Sequence, residues 1–294
     1  MSNSGFLSEV IDNNDLEWYL TIEEDRGLAY DSKVFIDKFE SRVSDLFSKS
    51  KLKYVSVDVF DTILFRNGKS EIRRFYEIAD LISSSEICVN KKITTLDIFM
   101  ARIDSTKVTY RASNTIDGCR EGSLIDIYQQ ICFILGIEQK YIDEFIDIEI
   151  RYEIDNLKAN FGLWEILKNY KNNGVKIVFL SDMYMHGKHI KKILNHFFFD
   201  FDNVVIKVVS SADEVISKHS GKIYKKLKSD FKWPSKNWLH LGDNHHSDVV
   251  QAKRNGINSI HLPINNQTLI EQEECRNRFY TFFKSKSISN GYLI

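Results

Sequence analysis

The sequence predicts an α/β fold, a doubly wound parallel sheet interrupted by a helical insertion. Two observations carry this. First, from Gly174 onward short apolar runs alternate with amphipathic helical patterns, and strands separated by single helices imply parallel βαβ units. Second, the stretch between the first and second apolar runs is helical in pattern throughout, and at about 100 residues it is too long for a crossover connection.

The elements follow in chain order. In FIDKFESRVSDLFSKS the residues Phe35, Phe39, Val43 and Phe47 recur at spacing four, the mark of an amphipathic helix in an N-terminal helical extension, residues 1–50. The first strand is Tyr54–Val57, ending in Asp58. Core segments 51–66 and 174–263 flank the insertion, 67–173, where no strand is convincing. Helices are expected there over about Glu71–Ser83, Thr94–Ala112, Ser123–Leu135 and Tyr141–Lys171. The core then resumes with strands Val175–Leu180, Val204–Val209, Trp238–Leu241 and Asn258–Leu262. Between them lie helices Lys188–His196, Lys222–Asp230 and Asp248–Asn255. Gly174 and Gly256 fall between a helix and a strand, where a left-handed cap is expected. After Pro263 a helix over Glu271–Lys284 begins a C-terminal helical tail, residues 264–294.

Composition narrows the function classes. The chain has 294 residues, 43% hydrophobic and 28% charged, as in an ordinary globular protein. A net charge of −1 gives no footprint for nucleic acid or an anionic membrane. No run is apolar enough to span a membrane, and the N-terminus lacks a basic segment followed by an apolar one. Cys88, Cys119, Cys132 and Cys275 form no C-x-x-C pair and read as free thiols. The expected location is the cytoplasm.

In an open parallel sheet, ligands bind beyond the carboxyl ends of the strands. Strand one ends in Asp58, with Asp61 and Thr62 just after. Strand two ends in Ser181 and Asp182. Lys218 follows strand three, and strand four ends in Gly242-Asp243-Asn244, with Asp248 close behind. Carboxylates, a hydroxyl and an ammonium at one sheet edge suit Mg²⁺, a hard cation that takes oxygen ligands. They equally suit phosphoryl transfer, with a carboxylate nucleophile and a cation to stabilise charge.

The order of these residues closely resembles the haloacid dehalogenase-like (HAD) hydrolase superfamily over about residues 51–263. Its four motifs correspond to VSVDVFDTIL, VFLSDMY, KHSGKIYKKL and HLGDNHHSDVVQAKRNGI. The resemblance implies a Rossmannoid core with a C1-type helical cap. It implies Asp58 as nucleophile, and Ser181, Asp182, Thr62 and Lys218 about the phosphate. Mg²⁺ would be held by Asp58, Asp243, Asp248 and the backbone carbonyl of Phe60. The implied function is a Mg²⁺-dependent phosphatase on a small phosphorylated metabolite, such as a sugar phosphate. The FDVFDT-like opening most resembles a bacterial branch whose members often accompany polysaccharide-biosynthesis enzymes. One departure stands out. Family phosphatases carry an acidic residue two positions after the nucleophile, and this chain has Phe60. Dehalogenases of the superfamily also lack that acid, so a carbon–halogen hydrolase and a catalytically weak scaffold protein stay open beside the phosphatase.

Other residues have two readings each. Lys222 competes with Lys218. Arg66, Arg102 and Arg111 suit either an anionic substrate or ion pairs within the cap. Tyr184 and His186 suit the cleft or the core. His189 shares a helix face with His186, and adjacent His245 and His246 lack metal-ligand spacing. Asp182, His245 and His246 are also candidate general acids.

Overall fold

The computed structural model describes residues 33–50, 52–264 and 266–289. A five-stranded, all-parallel sheet forms the centre: β1 Tyr54–Asp58, β4 Lys176–Ser181, β5 Val205–Ser210, β6 Trp238–Gly242 and β7 Asn258–His261, in the order β5-β4-β1-β6-β7. The chain adds β4 and β5 on one side of β1 and then β6 and β7 on the other. The order therefore reverses about β1, whose carboxyl end is the switch point where ligands bind in such sheets.

Strand periodicity divides the core between two faces. Val55, Val57, Ile177, Phe179, Leu239 and Leu241 fill one face and continue into the insertion. Val178, Leu180, Val209 and Trp238 fill the other, beneath helix Lys222–Phe231 with its buried Ile223, Tyr224 and Leu227. Because both faces are covered, the strands read as continuous apolar runs. Gly174 and Gly256 have φ +83° and +73°, the expected left-handed caps.

Helix Lys33–Ser50 buries Phe39 and Val43 and packs against helix Phe161–Asn172. The side chains of Phe35 and Phe47, and residues 1–32 of the expected extension, lie outside the described residues. The tail helix runs Asn266–Ser285, longer than expected.

The inserted segment holds helices Glu71–Ser83, Glu86–Lys91, Thr95–Ala112, Leu124–Ile134 and Ile142–Asn156. Their starts are legible: Ser70 and Ser123 accept from backbone N–H groups, and Thr94 forms a reciprocal capping box with Asp97. The expected single helix Tyr141–Lys171 is corrected by the structure. It ends at Asn156, and β3 Leu157–Ala159 pairs antiparallel with β2 Leu64–Arg66 before helix Phe161–Asn172 begins. The sequence Leu-Lys-Ala has no β-branched or aromatic signal, so only the pairing partner makes it a strand. Asn160 fixes the junction. Its N–H donates to the Ile63 carbonyl, its amide to the Thr62 carbonyl, and its side-chain oxygen caps the next helix at Leu163.

The tail helix follows β7 and packs against helix Glu71–Ser83 of the insertion. Tyr76, Phe99, Phe279 and Phe283 form the contact, with Phe99 and Phe283 stacked at 4.8 Å. No helix among the described residues is long and apolar enough to cross a membrane.

Candidate active site

Asp58 and Gly242 end adjacent strands at the switch point, and Ser181 ends β4 on the other flank. Beyond them lies a cleft of about 330 Å³ that Asp58, Ser181, Asp182, Lys218, Asp243 and Asp248 all line.

The chain after β1 turns sharply. Asp61 adopts φ +64°, a left-handed conformation that a short polar residue tolerates. The turn brings Thr62 back so that its hydroxyl donates to Asp58 Oδ2 at 3.1 Å. It also commits Asp61: one carboxylate oxygen accepts from the Arg66 N–H and the other from Arg66 Nη1, each at 3.0 Å. Phe60 is buried, and the Arg66 guanidinium lies 4.4 Å from its ring centroid.

Lys218 sits at the centre of the carboxylates. Its ammonium donates to Asp58 Oδ1 and, at 2.7 Å, to Asp248 Oδ1. The backbone that carries it is held by Asp182, whose carboxylate accepts from the N–H groups of Lys218 at 2.7 Å and His219 at 2.9 Å. Asp182 therefore lines the cleft as a brace for the lysine loop. Lys218, rather than Lys222, is the lysine brought to Asp58.

Of the three clustered carboxylates Asp58, Asp243 and Asp248, the last is the most firmly held. Oδ1 accepts from Lys218 and faces His240 Nε2 at 2.9 Å, while Oδ2 accepts from the Asn244 N–H at 2.9 Å. It rises from a π-helical turn, His245–Val250, capped by the Asn244 side chain on Ser247 N–H. Gly242 makes room for it: a Cβ there would stand 2.3 Å from the Asp248 carboxyl carbon. That close approach requires glycine.

The electrostatics are unbalanced. Carboxylate oxygens of Asp58, Asp243 and Asp248 lie within 4.8 Å of one another, close enough for one cation to bridge them. Burial raises the Asp58 carboxyl to about 7, against the pull of Lys218. Burial, with Asp58 and Asp248 as like-charged neighbours, pushes Asp243 well above the carboxylate range. Lys218 and the His240 hydrogen bond hold Asp248 well below that range despite its burial. One ammonium thus serves three clustered carboxylates. A divalent cation fits this donor set: oxygens bound at about 2.0–2.1 Å to Mg²⁺ stand roughly 3–4 Å apart, a small contraction from the present spacing.

The remaining candidates disperse. Arg102 is buried in the insertion and makes a double hydrogen bond to Glu149, so it is an internal ion pair. Arg111 is exposed, and its carbonyl accepts from Arg120. Tyr184 lines the cleft and also donates to Glu149 at 3.0 Å. His186 pairs with Asp213 at 2.6 Å beside a neighbouring cavity, and His189 is buried on the same helix. His245 lies edge-on to His261, and His246 contacts Gln251 and His219. Sequence reasoning missed Arg74, which lines the cleft and pairs with Glu153 at 3.1 Å. Its signal was an arginine on the apolar face of helix Glu71–Ser83. It also missed His240, a lone histidine inside an apolar strand.

No family model matches the chain, and no curated protein matches it in sequence. Solved structures do. A 2-haloacid dehalogenase from Pseudomonas syringae pv. Tomato DC3000 superposes with a TM-score of 0.51 at 13% identity, covering 71% of this chain and 86% of that one. A HAD-like family hydrolase from Porphyromonas gingivalis gives 0.47 at 15% identity, covering 73% and 92%. A HAD family enzyme from Bacteroides thetaiotaomicron, in complex with magnesium and inorganic phosphate, gives 0.46 at 15%, covering 73% and 96%. At these identities the likeness is one of fold, and the fold is that of the dehalogenase: a parallel α/β sheet flanked by helices.

Proposed function

We propose that this chain is a HAD-type hydrolase, a phosphatase acting on a small phosphorylated metabolite through an aspartyl-phosphate intermediate. The observation that carries it is the cluster of Asp58, Asp243 and Asp248 around the Lys218 ammonium at the switch point of the sheet. A Mg²⁺ ion held by Asp58, Asp243, Asp248 and the Phe60 carbonyl would screen the repulsion between the Asp58 carboxylate and an anionic phosphate.

The chain's own residues supply the rest. Thr62 and Lys218 orient the Asp58 carboxylate. An Asp58 oxygen attacks phosphorus, the ester P–O bond breaks, and its electron pair leaves with the alcohol or phenol oxygen. Lys218 and Ser181 hold the phosphoryl oxygens as charge moves onto them. Water then attacks phosphorus, the acyl-phosphate O–P bond breaks, and phosphate departs. The insertion acts as a cap that keeps bulk water from the cleft. A cleft of about 330 Å³ suits a small substrate.

The loop after β1 gives the leaving group little help. Phe60 has no proton to give, and both oxygens of Asp61 are committed to Arg66. General acid assistance is worth about 10²–10⁴ in rate, so substrates with acidic leaving groups are favoured. The same Phe60 supports a second reading, hydrolysis of a carbon–halogen bond. The test is Mg²⁺-dependent release of phosphate from aryl and sugar phosphates by the wild type and by Asp58→Asn. Turnover by the wild type alone supports the phosphatase. Chloride release from 2-haloacids in its place supports the dehalogenase. A folded protein that does neither sinks both and leaves a scaffold role.

A further inference from the structure

Beneath the carboxylates runs a buried polar chain. The Trp238 indole N–H donates to Ser56 Oγ at 2.8 Å, Ser56 Oγ meets His240 Nδ1 at 2.7 Å, and His240 Nε2 meets Asp248 Oδ1 at 2.9 Å. Ser56, Trp238 and His240 have no solvent exposure. The spacing follows from the strands. Ser56 and His240 are registered partners on β1 and β6, and Trp238 lies two residues before His240 on the same face. Tyr224 closes the chain from the adjacent helix, its ring edge-on to His240 at 5.2 Å.

Counting protons fixes the form of the ring. The Asp248 carboxylate only accepts, so Nε2 carries hydrogen. Ser56 already accepts from Trp238, and its own hydroxyl hydrogen needs an acceptor, which the bare Nδ1 supplies. With hydrogen on Nδ1 instead, a lone pair would face the Asp248 carboxylate. The Nε2–H form is the arrangement that satisfies every group, and buried polar groups are costly to leave unpaired.

We infer that His240, oriented by Ser56 and Trp238, is the positioning residue of the acidic site: its Nε2–H sets the direction of Asp248 and so shapes the cation pocket before any cation arrives. The inference rests on the proposal that Asp248 helps bind Mg²⁺. Groups that orient metal ligands are worth about 10–100-fold in metal affinity. A glutamine places its Nε2 the same number of bonds from the backbone as the imidazole Nε2. An asparagine places its nitrogen at the Nδ1 position, within reach of Ser56 and short of Asp248.

The experiment is a calorimetric Mg²⁺ titration of wild type, His240→Gln, His240→Asn and Ser56→Ala, paired with nitrogen-15 spectra of the metal-free histidines. Expected are near wild-type affinity for the glutamine form and a loss of about 10–100-fold for the asparagine form. For Ser56→Ala the hydrogen stays on Nε2, because Asp248 still requires it, but the ring loses its anchor at Nδ1 and affinity falls less than in the asparagine form. In the asparagine form, saturating Mg²⁺ restores most of kcat on an aryl phosphate, which a merely structural defect would not allow. Wild-type affinity in a folded asparagine form overturns the inference. So does a metal-free wild-type spectrum with hydrogen on Nδ1. A wild type that takes up no Mg²⁺ overturns the phosphatase proposal instead, and the tautomer then decides on its own whether His240 orients Asp248.

Discussion

Two buried charge networks lie on either side of Tyr184, and they are built on opposite principles. In the insertion, Glu149 is fully buried and accepts from Arg102 Nη1 and Nη2 at 2.8 and 3.0 Å, Tyr128 at 2.5 Å and Tyr184 at 3.0 Å. One negative charge meets one positive charge, and both carboxylate oxygens are saturated. In the cleft, Lys218 pairs with Asp58 and Asp248, and Asp243 crowds the same cluster. The first network is closed and holds the insertion against the loop after β4. The second is open, and its excess charge is what a cation and a phosphoryl group would answer. Burial alone does not mark a functional site; an uncompensated balance at a sheet edge does.

The largest effect expected tests the open network. Asp58→Asn removes the proposed nucleophile, and loss of a nucleophile that acts in a unit costs on the order of 10⁴–10⁶ in kcat. Single-turnover phosphate release checks it, with circular dichroism to confirm folding. Activity within tenfold of wild type would assign the chemistry elsewhere.

The next breaks the comparison directly, because the same chemical change has opposite signs in the two networks. Glu149→Gln leaves the Arg102 charge buried and uncompensated, and removing one partner of a buried pair costs about 3–5 kcal/mol. Asp243→Asn removes one of three crowded carboxylates, whose ionisation the fold already opposes. Metal-free stability rises. The variant also loses the stabilisation by Mg²⁺, about 2.7 kcal/mol for wild type at a hundredfold excess over Kd. Urea titrations with and without Mg²⁺ measure both. Equal signs for the two variants would erase the distinction.

What the sequence disclosed follows the same division. The strands and the residues at their ends were legible because polar residues terminating apolar runs stand out, and Asp58, Ser181, Asp243 and Asp248 do converge at the switch point. The ribbon of β2 and β3 was not legible, since Leu157–Ala159 becomes a strand only through Leu64–Arg66. Arg102 was ambiguous because its partner Glu149 is distant in sequence. Asp182 read as a cleft residue, whereas its bonds to the Lys218 loop depend on a crossover that no local pattern encodes.

A third test sharpens the role of position 60. Phe60→Asp places a carboxyl two residues after Asp58, where the Arg66 guanidinium now lies over the ring. That cation can partner the new charge in an already acidic cleft. Turnover of alkyl phosphates should rise by up to about 100-fold, and that of aryl phosphates with acidic leaving groups much less. The slope of log kcat/KM against leaving-group pKa therefore flattens. An unchanged slope would place the proton donor outside the loop after β1.

The smallest effect expected is a pH dependence of metal-free stability, and its sign separates Asp58 from the histidines. The Asp58 carboxyl titrates near 7 when folded, above its ordinary value of 3.8, because burial opposes its charge. Between those values the folded chain holds a proton that the unfolded chain has lost, so this group adds stability as pH falls. His189 runs the other way: burial lowers its pKa from 6.5 to about 4, so the unfolded chain takes the proton first and stability falls across that window. His240, also lowered by burial, adds to that loss. The wild-type curve alone mixes these contributions. Subtracting Asp58→Asn removes the histidine part, since both proteins share it. The difference in Tm, wild type minus variant, should move in favour of wild type as pH drops from about 8 toward 5. A flat difference would mean that Lys218 fully compensates Asp58, and the cleft network would then be as closed as that of Glu149.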